Sequence, residues 1–461
     1  MESCPARAML EAEGYQGALN DILKEGKKQG NRRKKKVDGM LLEEILSRSN
    51  MLAAYDRVVG NKGAAGIDGI EAADFQSQLQ REWETVKSQL EDGSYRPGAV
   101  KRVTIPKPNG GERHLGIPTY MDRLIQQAIS QVLVKQYEPT FSENSYGFRS
   151  EKNAHQAALK AKEYINAGYS HVVDLDLSQF FDRVNHDYLM NELSRRITDK
   201  RVLKLIHKIL RSEIVDGKTR IPCKQGVPQG GPLSPLLSNI ILDKLDKELE
   251  KRGLRYVRYA DDCSIYVKSK RSGDRVMESI TRYIEKELKL VVNTVKSSVT
   301  RPWMMKLLGF TFYHKKGEKG IGVHRKSVAS YKEKIRRITC RSKPYSMEAR
   351  LDQIRQLNTG WGHYFKLSEA KSVFEELDRW VRSRVRQCYW NQWKRPRTRV
   401  KELTKLGIPA NKAYQWGNTR KGKWRSVHSP VLTRALSNSY LKKEGFTSLI
   451  DIVKPSNTVN V

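Results

Sequence analysis

Two acidic segments constrain the fold of this chain more than any other feature of its sequence. Residues 171–176 read HVVDLD; if they form a strand, Asp174 and Asp176 share one face, because side chains alternate along a strand. Residues 259–262 read YADD between two apolar stretches, which predicts a β-hairpin with two adjacent carboxylates at its turn. Charges on buried strands are unfavourable unless they are paired or bind metal. The sequence therefore predicts that two separate strand segments present carboxylates.

Asp176, Asp261 and Asp262 are the candidate catalytic and metal-binding residues. Phosphoryl transfer by two Mg²⁺ ions about 3.5 to 4 Å apart needs carboxylates from separate elements to hold the ions that clamp the attacking and leaving oxygens. Taken alone, the YADD segment could be a structural turn, since Asp favours turns. The second acidic strand makes metal binding the favoured interpretation. For Asp174 and Asp182 the sequence is equally compatible with a direct role and with a structural one, as exposed or ion-paired acids at a strand end.

A glycine- and proline-rich loop lies between the two acidic segments. Residues 225–235 read QGVPQGGPLSP and open a predicted helix. Glycines allow a backbone to approach a ligand closely, and Gln229 is the candidate contact to a template base or an incoming nucleotide. A rigid structural turn is the alternative interpretation of the same loop.

The charge of the chain indicates a polyanionic partner. Lys and Arg number 86 against 51 Asp and Glu, a formal net charge of +35, and basic side chains bind nucleic acid by releasing condensed counterions. Residues 315–425 hold 30 of these cations and 9 of the acids, a net charge of +21, together with six of the eight tryptophans. Basic side chains among aromatic faces suit RNA. An apolar stripe at helical spacing predicts a helix packed on a core in this segment: Val373, Phe374, Leu377, Trp380, Val381, Val385 and Cys388.

The predicted elements favour an α+β fold. Strands and helices mix before residue 314 without the regular alternation of a parallel α/β sheet, and helices dominate afterwards. The predicted elements of the first part are hairpins at residues 100–117 and 255–268, a strand at 170–177, and helices at 120–137, 187–194, 200–212 and 233–251. The predicted domains are a basic N-terminal arm or linker (1–39), a mixed domain (40–314), a helical domain (315–450) and a C-terminal tail (451–461).

Cysteine use and hydropathy point to a cytoplasmic protein without a membrane span. The five cysteines include no C-x-x-C pair and no neighbouring His cluster, so neither a disulfide framework nor a zinc site is predicted. A reducing cytoplasm fits this pattern. No run of about 18 apolar residues, as a membrane span would require, occurs in the sequence.

The order of the motifs resembles that of reverse transcriptases, and their flanks resemble those encoded in bacterial group II introns. The palm-like series is FFD at 180–182, the loop at 225–235, YADD at 259–262, NTVK at 293–296 and LLGF at 307–310. The flanking motifs are IPKP at 105–108, LGIP at 115–118, YGFR at 146–149 and AYQWGNTRKG at 413–422. The resemblance covers roughly residues 40–450.

The resemblance implies a right-hand polymerase, with fingers and palm over 40–314 and an all-α thumb and maturase domain over 315–450. It implies an RNA-directed DNA polymerase that also binds its group II intron RNA and assists splicing and mobility. The implied roles are two Mg²⁺ ions on Asp176, Asp261 and Asp262, a sugar pocket closed by Phe181, a triphosphate held by Lys107 and Arg113, and pyrophosphate departure assisted by Lys296.

The implied partners are the intron RNA, an RNA template with a DNA primer, dNTPs and a DNA target, while the oligomeric state is not indicated. Many members of the family continue into a DNA-binding segment and a Cys- and His-rich endonuclease, which this sequence lacks, so we expect any mobility to depend on a nick made elsewhere. Three alternatives stay open: a domesticated or defence-associated relative, an RNA-binding splicing cofactor without polymerase activity, and an RNA-templated RNA polymerase. Phe181 opposes the last.

Overall fold

The computed structural model describes residues 40–106, 112–315 and 317–454. The predicted basic arm at 1–39, the predicted triphosphate contact Lys107 and residues 455–461 lie outside these ranges. The described residues form two compact units. The first comprises residues 40–157 and 171–299, and the second comprises residues 158–170 and 300–454.

The first unit mixes helices and strands. Its helices, with α5 continuing into the second unit, are α1 (Leu41–Ile45), α2 (Arg48–Gly60), α3 (Phe75–Glu91), α4 (Tyr120–Tyr137), α5 (Ala154–Asn166), α6 (Phe180–Arg183), α7 (His186–Ser194), α8 (Lys200–Leu210), α9 (Ser234–Lys251) and α10 (Lys270–Lys286). Its strands are β1 (Val100–Pro106), β2 (Glu112–Ile117), β3 (His171–Leu175), β4 (Ile214–Asp216), β5 (Thr219–Ile221), β6 (Arg255–Tyr259), β7 (Asp262–Val267) and β8 (Ser298–Thr300). The predicted strand and helix positions of this part are confirmed.

These strands form two four-stranded sheets. One has the order β2-β1-β4-β5, and the other has the order β6-β7-β3-β8. In the second sheet β3 runs antiparallel to β7, with Asp174 opposite Ser264 and Leu175 opposite Cys263. Because opposite residues of an antiparallel pair share a face and side chains alternate along a strand, Asp174 and Asp262 lie on the same face of this sheet. Asp176 follows directly after the end of β3.

Two long helices form the centre of the first unit. Helix α4 begins where the Thr119 hydroxyl accepts a hydrogen bond from the Asp122 backbone N–H (3.1 Å), and both α4 and α9 are buried over most of their length. Apolar residues of α4, α7, α8 and α9 pack with those of β3 and β7 in one core. Each fully buried Leu or Ile contributes about 1.5 to 3 kcal/mol to such a core. The active-site strands are therefore fixed to a well-packed helical layer.

The second unit is mostly helical. It contains the hairpin β9 (Phe310–Lys315) and β10 (Glu318–Val323), and the helices α11 (Arg325–Ile338), α12 (Met347–Phe365), α13 (Lys371–Gln392), α14 (Pro396–Lys405), α15 (Ala410–Gly417), α16 (Lys423–Val427), α17 (Pro430–Ala435), α18 (Asn438–Lys443) and α19 (Leu449–Val453). The predicted stripe is confirmed on α13, where Phe374, Leu377, Val381, Val385 and Cys388 are buried. The hairpin β9–β10 follows the α+β part directly and precedes the helices.

Aromatic rings and buried polar contacts hold this unit together. Trp361 lies 4.6 Å from Phe365 and 5.8 Å from Phe374 between ring centroids, which joins α12 to α13. The Asp378 carboxylate on α13 accepts hydrogen bonds from the Ser448 hydroxyl (2.5 Å) and the Leu449 N–H (2.8 Å), which fixes the start of α19. Among the described residues, no helix has the length and apolar character needed to cross a membrane.

Candidate active site

The YADD segment forms the tip of the β6–β7 hairpin. Tyr259 pairs with Asp262, so Ala260 and Asp261 alone make the turn. Ala260 has a φ of +57°, in the left-handed region that residues other than Gly, Asn and Asp rarely adopt. Asp261 is half-buried and Asp262 is exposed. The predicted hairpin with two adjacent carboxylates is therefore present.

Asp176 stands at the end of β3, beside that tip. Its backbone N–H donates to the Ser297 hydroxyl (3.0 Å), and its carbonyl accepts from the Asn293 N–H (2.8 Å). Both partners belong to the segment around the NTVK motif. The NTVK segment thus fixes the backbone of Asp176, a predicted metal ligand. Its sequence pattern alone does not indicate this role.

The carboxylates of the hairpin tip and of the end of β3 interact electrostatically. The pKa of Asp261 is raised by burial and then by the charge of Asp176, while Arg113 opposes the shift. The pKa of Asp174 is raised to about 6 by burial and by the charges of Asp262 and Asp176, against a hydrogen bond from Ser264. Like charges that raise each other's pKa values are relieved by a bound cation. The site is thus suited electrostatically to a cation.

The donor set fits Mg²⁺. Its ligands in proteins are carboxylate oxygens and water, and it usually takes one or two carboxylates together with substrate phosphates instead of a closed protein cage. Within the described ranges no three Asp, Glu, His or Cys side chains converge as a ready-made metal cage. Asp176, Asp261 and Asp262 therefore do not form such a cage by themselves, and Mg²⁺ bound to them would take its other ligands from water and substrate phosphates.

Cations adjoin the carboxylates. The Nζ atom of Lys296 lies 3.6 Å from Oδ2 of Asp176. Arg113 is exposed on β2, and its charge lowers the pKa of Asp261. Of the three predicted basic residues, Lys296 and Arg113 therefore interact electrostatically with the carboxylates. Lys107 lies outside the described residues.

Phe181 and Gln229 line one cavity of about 630 Å³. It is bounded by β1, β2, β4 and β5, by the residues around the start of α6, and by residues 222–229. Phe180 is buried while Phe181 is half-buried, and the two rings lie 5.2 Å apart, edge to face. A cavity of this size is in the usual range for a nucleotide-sized ligand. Asp176, Asp261 and Asp262 do not line the cavity, whereas Asp182 does; four residues separate Asp176 from Phe181 in the sequence.

Glycines in the loop at 225–235 allow the cavity to form. The Gly226 N–H donates to Val184 O (2.7 Å), and a Cβ at Gly226, whose φ is +94°, would press on the carbonyl of Phe181. Gln229 O accepts from the Gly116 N–H (2.7 Å), and a Cβ at Gly230 would press on the Gly116 carbonyl. The loop therefore packs backbone to backbone on both sides. This is why Phe181 and Gln229 share a cavity.

One group of residues was not singled out from the sequence. Arg258, Asp246 and Asn239 are buried behind the hairpin tip, where Arg258 donates hydrogen bonds to both Asp246 and Asn239. A signal existed in the sequence, because Arg258 is a charged residue inside an otherwise apolar strand, and such charges need partners.

A hairpin tip with interacting carboxylates, adjoining cations and a nearby nucleotide-sized cavity defines the palm of a nucleic-acid polymerase. Two family models match the chain: reverse transcriptase (RNA-dependent DNA polymerase) over residues 105–312, and the group II intron maturase-specific domain over residues 328–407.

Two curated relatives agree with these matches. Protein YkfC of Escherichia coli K12 is 32% identical over 299 residues, covering 56% of this chain and 78% of YkfC. The group II intron-encoded protein LtrA of Lactococcus lactis subsp. cremoris is 36% identical over 208 residues, covering 44% of this chain and 34% of LtrA. Among solved structures, a partial Cas6-RT-Cas1–Cas2 complex matches with a TM-score of 0.36 and 22% identity, covering 58% of this chain and 47% of that chain, a similarity too low to support a functional conclusion.

The chain belongs to the group II intron reverse transcriptase and maturase family. The predicted recognition, the α+β right-hand fold with a helical thumb, and the RNA-directed DNA polymerase activity are confirmed. Binding of an RNA template and of intron RNA follows from the two domains.

Proposed function

We propose that this chain copies RNA into DNA from dNTPs at Asp176, Asp261 and Asp262, with two Mg²⁺ ions, and that it assists splicing and mobility of its group II intron. The observation that carries the proposal is the arrangement of the strands: β7 pairs with β3, so the tip that holds Asp261 and Asp262 adjoins the end of β3, where Asp176 lies. The charge of Asp176 also raises the pKa of Asp261, after the larger effect of burial. When bound, the metal ions would polarise the phosphate and stabilise the attacking and leaving oxygens.

The residues of the chain have separate tasks in this proposal. Arg113, with Lys107, holds the triphosphate by charge-assisted hydrogen bonds. Phe181 lies under the sugar of the incoming nucleotide, and Gln229 contacts the nucleotide or the template base across the shared cavity. Lys296, beside Asp176, supplies positive charge where the leaving pyrophosphate carries negative charge.

The second unit supplies the surface for intron RNA in this proposal. Residues 403–443 contain nine Lys and Arg and no Asp or Glu. Within this stretch the side chains of Tyr414 and Trp424 are 68% and 43% exposed, so their rings are accessible to a partner. Aromatic faces among cations stack on unpaired bases.

The proposed active site is tested by Asp261→Asn combined with Asp262→Asn. The amides keep the size of the side chains but remove the charges, so primer extension on an RNA template should fall below detection. Binding of intron RNA should persist, because that surface lies in the other unit. Mg²⁺-dependent primer extension at the wild-type rate by the double variant would exclude these residues as the metal ligands. An RNA-binding splicing cofactor would show no extension even with the wild-type chain.

A further inference from the structure

A fully buried ion pair lies behind the hairpin tip. Arg258 on β6 and Asp246 on α9 both have side chains 0% exposed, and they are joined by Nε–Oδ1 (2.8 Å) and Nη2–Oδ2 (2.5 Å) hydrogen bonds. The desolvation of two buried charges commonly cancels their attraction, so apolar residues of similar volume would stabilise the fold as well. Stability alone therefore does not explain this pair.

The third guanidinium nitrogen of Arg258, Nη1, contacts the turn. Arg258 Nη1 donates to the carbonyl of Ala260 (3.0 Å) and to Oδ1 of Asn239 (3.0 Å). The carbonyl of Ala260 belongs to the peptide bond that leads into Asp261. Ala260 has a φ of +57°, which is unfavourable for alanine and persists only where the surroundings impose it. The hydrogen bond from Arg258 holds the carbonyl of this residue in place.

A second set of interactions confines the turn from another direction. The Tyr146 N–H donates to the Arg258 carbonyl (2.8 Å), and Asn239 Nδ2 donates to the Gly147 carbonyl (2.9 Å). A Cβ at Gly147 would overlap the backbone nitrogen of Ala260, so the two backbones are in direct contact. The turn thus lies between the segment at 144–147 and the guanidinium.

We propose that Arg258 is a positioning residue for the polymerase reaction: the guanidinium, oriented by Asp246, fixes the Ala260 carbonyl and so sets the direction in which Asp261 presents its carboxylate. Because Arg258 is wholly buried, it cannot contact template, primer or nucleotide, and it acts through the backbone of the turn. The inference rests on the proposed role of Asp261 in metal binding.

The test replaces the ion pair by apolar residues, Arg258→Met with Asp246→Leu, in the full chain. The unfolding midpoint in urea should stay near that of the wild type, because the pair is exchanged for apolar packing. Since a misplacement of about 1 Å can cost on the order of 100-fold in rate, we expect kcat to fall by at least ~10-fold. The Mg²⁺ concentration for half-maximal rate should rise, and KM for the dNTP should change little.

Arg201→Met is the matched control. It removes a half-buried Arg from the same unit, where Arg201 on α8 pairs with Glu43 (2.7 Å) on α1 and with the buried Asp199 (3.0 Å). This variant should leave the Mg²⁺ requirement unchanged. A role of Arg258 in stability alone would instead lower the unfolding midpoint and leave the Mg²⁺ requirement of the folded fraction as in the wild type.

Two outcomes overturn the proposal: a folded double variant with the wild-type rate and Mg²⁺ requirement, or a control that shifts the Mg²⁺ requirement equally. If the double variant does not fold, Arg258→Lys decides by the same criteria, because a single ammonium group cannot serve Asp246 and the Ala260 carbonyl with the geometry of a guanidinium. Asp261→Asn distinguishes a failure of the proposed active site from a failure of the positioning role of Arg258. Activity in that variant would refute the proposed active site itself, whereas inactivity beside a wild-type-like Arg258 variant refutes only the positioning role.

Discussion

The Nζ atom of Lys296 lies 3.6 Å from the Oδ2 atom of Asp176, and both side chains are open to solvent, at 65% and 35% exposure. An exposed pair of this kind stabilises a fold by about 0 to 1 kcal/mol. The lysine therefore contributes little to folding. We propose that Lys296, beside the predicted metal ligand Asp176, acts during nucleotide addition.

Lys296→Ala should slow nucleotide addition without destabilising the protein. We expect the single-turnover rate of dNTP incorporation to fall by roughly 10-fold or more, because the variant has no positive charge near the leaving pyrophosphate. The free energy of unfolding should stay within about 1 kcal/mol of the wild type. Lys251→Ala, which removes an exposed lysine at the end of α9, serves as the control. Equal rates for both variants would assign Lys296 to the solvated surface.

Phe181→Val should relax the selection of deoxyribonucleotides. If the Phe181 ring lies under the sugar, a 2′-hydroxyl collides with it, and the smaller side chain removes the collision. The ratio of kcat/KM for dNTP over rNTP, which reports differential transition-state binding, should fall by at least about 10-fold. Phe180→Val is the matched control, because Phe180 is buried and does not line the cavity. That change should lower stability and leave the ratio unaltered.

A ratio that stays at the wild-type value in a folded Phe181→Val variant would show that another group excludes the ribose. Gln229 is the next candidate, since it lines the same cavity. The RNA-templated RNA polymerase considered from the sequence would show no preference for dNTPs even in the wild type.

The acidic strands could be predicted because each depends on local sequence. Alternation predicted that Asp174 and Asp176 share one face; the β3–β7 register includes Asp174, opposite Ser264, and ends one residue before Asp176. Interactions between distant segments could not be predicted in the same way. The bond from Asp176 N–H to Ser297 spans 121 positions of sequence, and nothing in either segment identifies the other.

The network around Arg258 shows the same limit. A charged residue in an apolar strand signals a buried partner, but the identity of Asp246 depends on how α9 packs on β6. Likewise, Gly147 could be recognised as part of a motif, but its contact with Ala260 depends on the tertiary fold. Sequence patterns therefore identified the candidate residues of the site but not the buried residues that support them.

Asp378→Ala should destabilise the second unit. The carboxylate is 1% exposed and accepts hydrogen bonds from Ser448 Oγ and from the N–H groups of Leu449 and Ile450. Its removal leaves buried donors without an acceptor, which costs about 1 to 3 kcal/mol for each such group. The unfolding midpoint in urea, followed by tryptophan fluorescence, should fall clearly. Glu375→Ala, on the exposed face of the same helix, should change it little.

A fall no larger than that of Glu375→Ala would mean that the segment around α19 contributes little to the stability of this unit. Asp378→Asn gives an intermediate test, because the amide keeps one acceptor oxygen. Its midpoint should lie between those of the wild type and the Ala variant.

The final prediction separates stacking from charge on the surface at residues 403–443. Tyr414→Ala and Trp424→Ala remove exposed rings on α15 and α16, whereas Lys421→Ala and Lys423→Ala remove exposed cations nearby. Stacking on a base contributes about 1 to 3 kcal/mol, so each aromatic variant should weaken binding of intron RNA by roughly 5-fold or more.

The salt dependence of binding reports how many phosphates the protein neutralises. The slope of log affinity against log salt concentration becomes shallower by about 0.7 to 0.9 for each phosphate that a variant leaves unneutralised. The lysine variants should therefore reduce the slope, and the aromatic variants should lower the affinity at every salt concentration with the slope unchanged. Tyr414→Phe, which keeps the ring, should bind as the wild type does. Wild-type affinity in both aromatic variants would mean that the basic side chains alone bind the RNA on this surface.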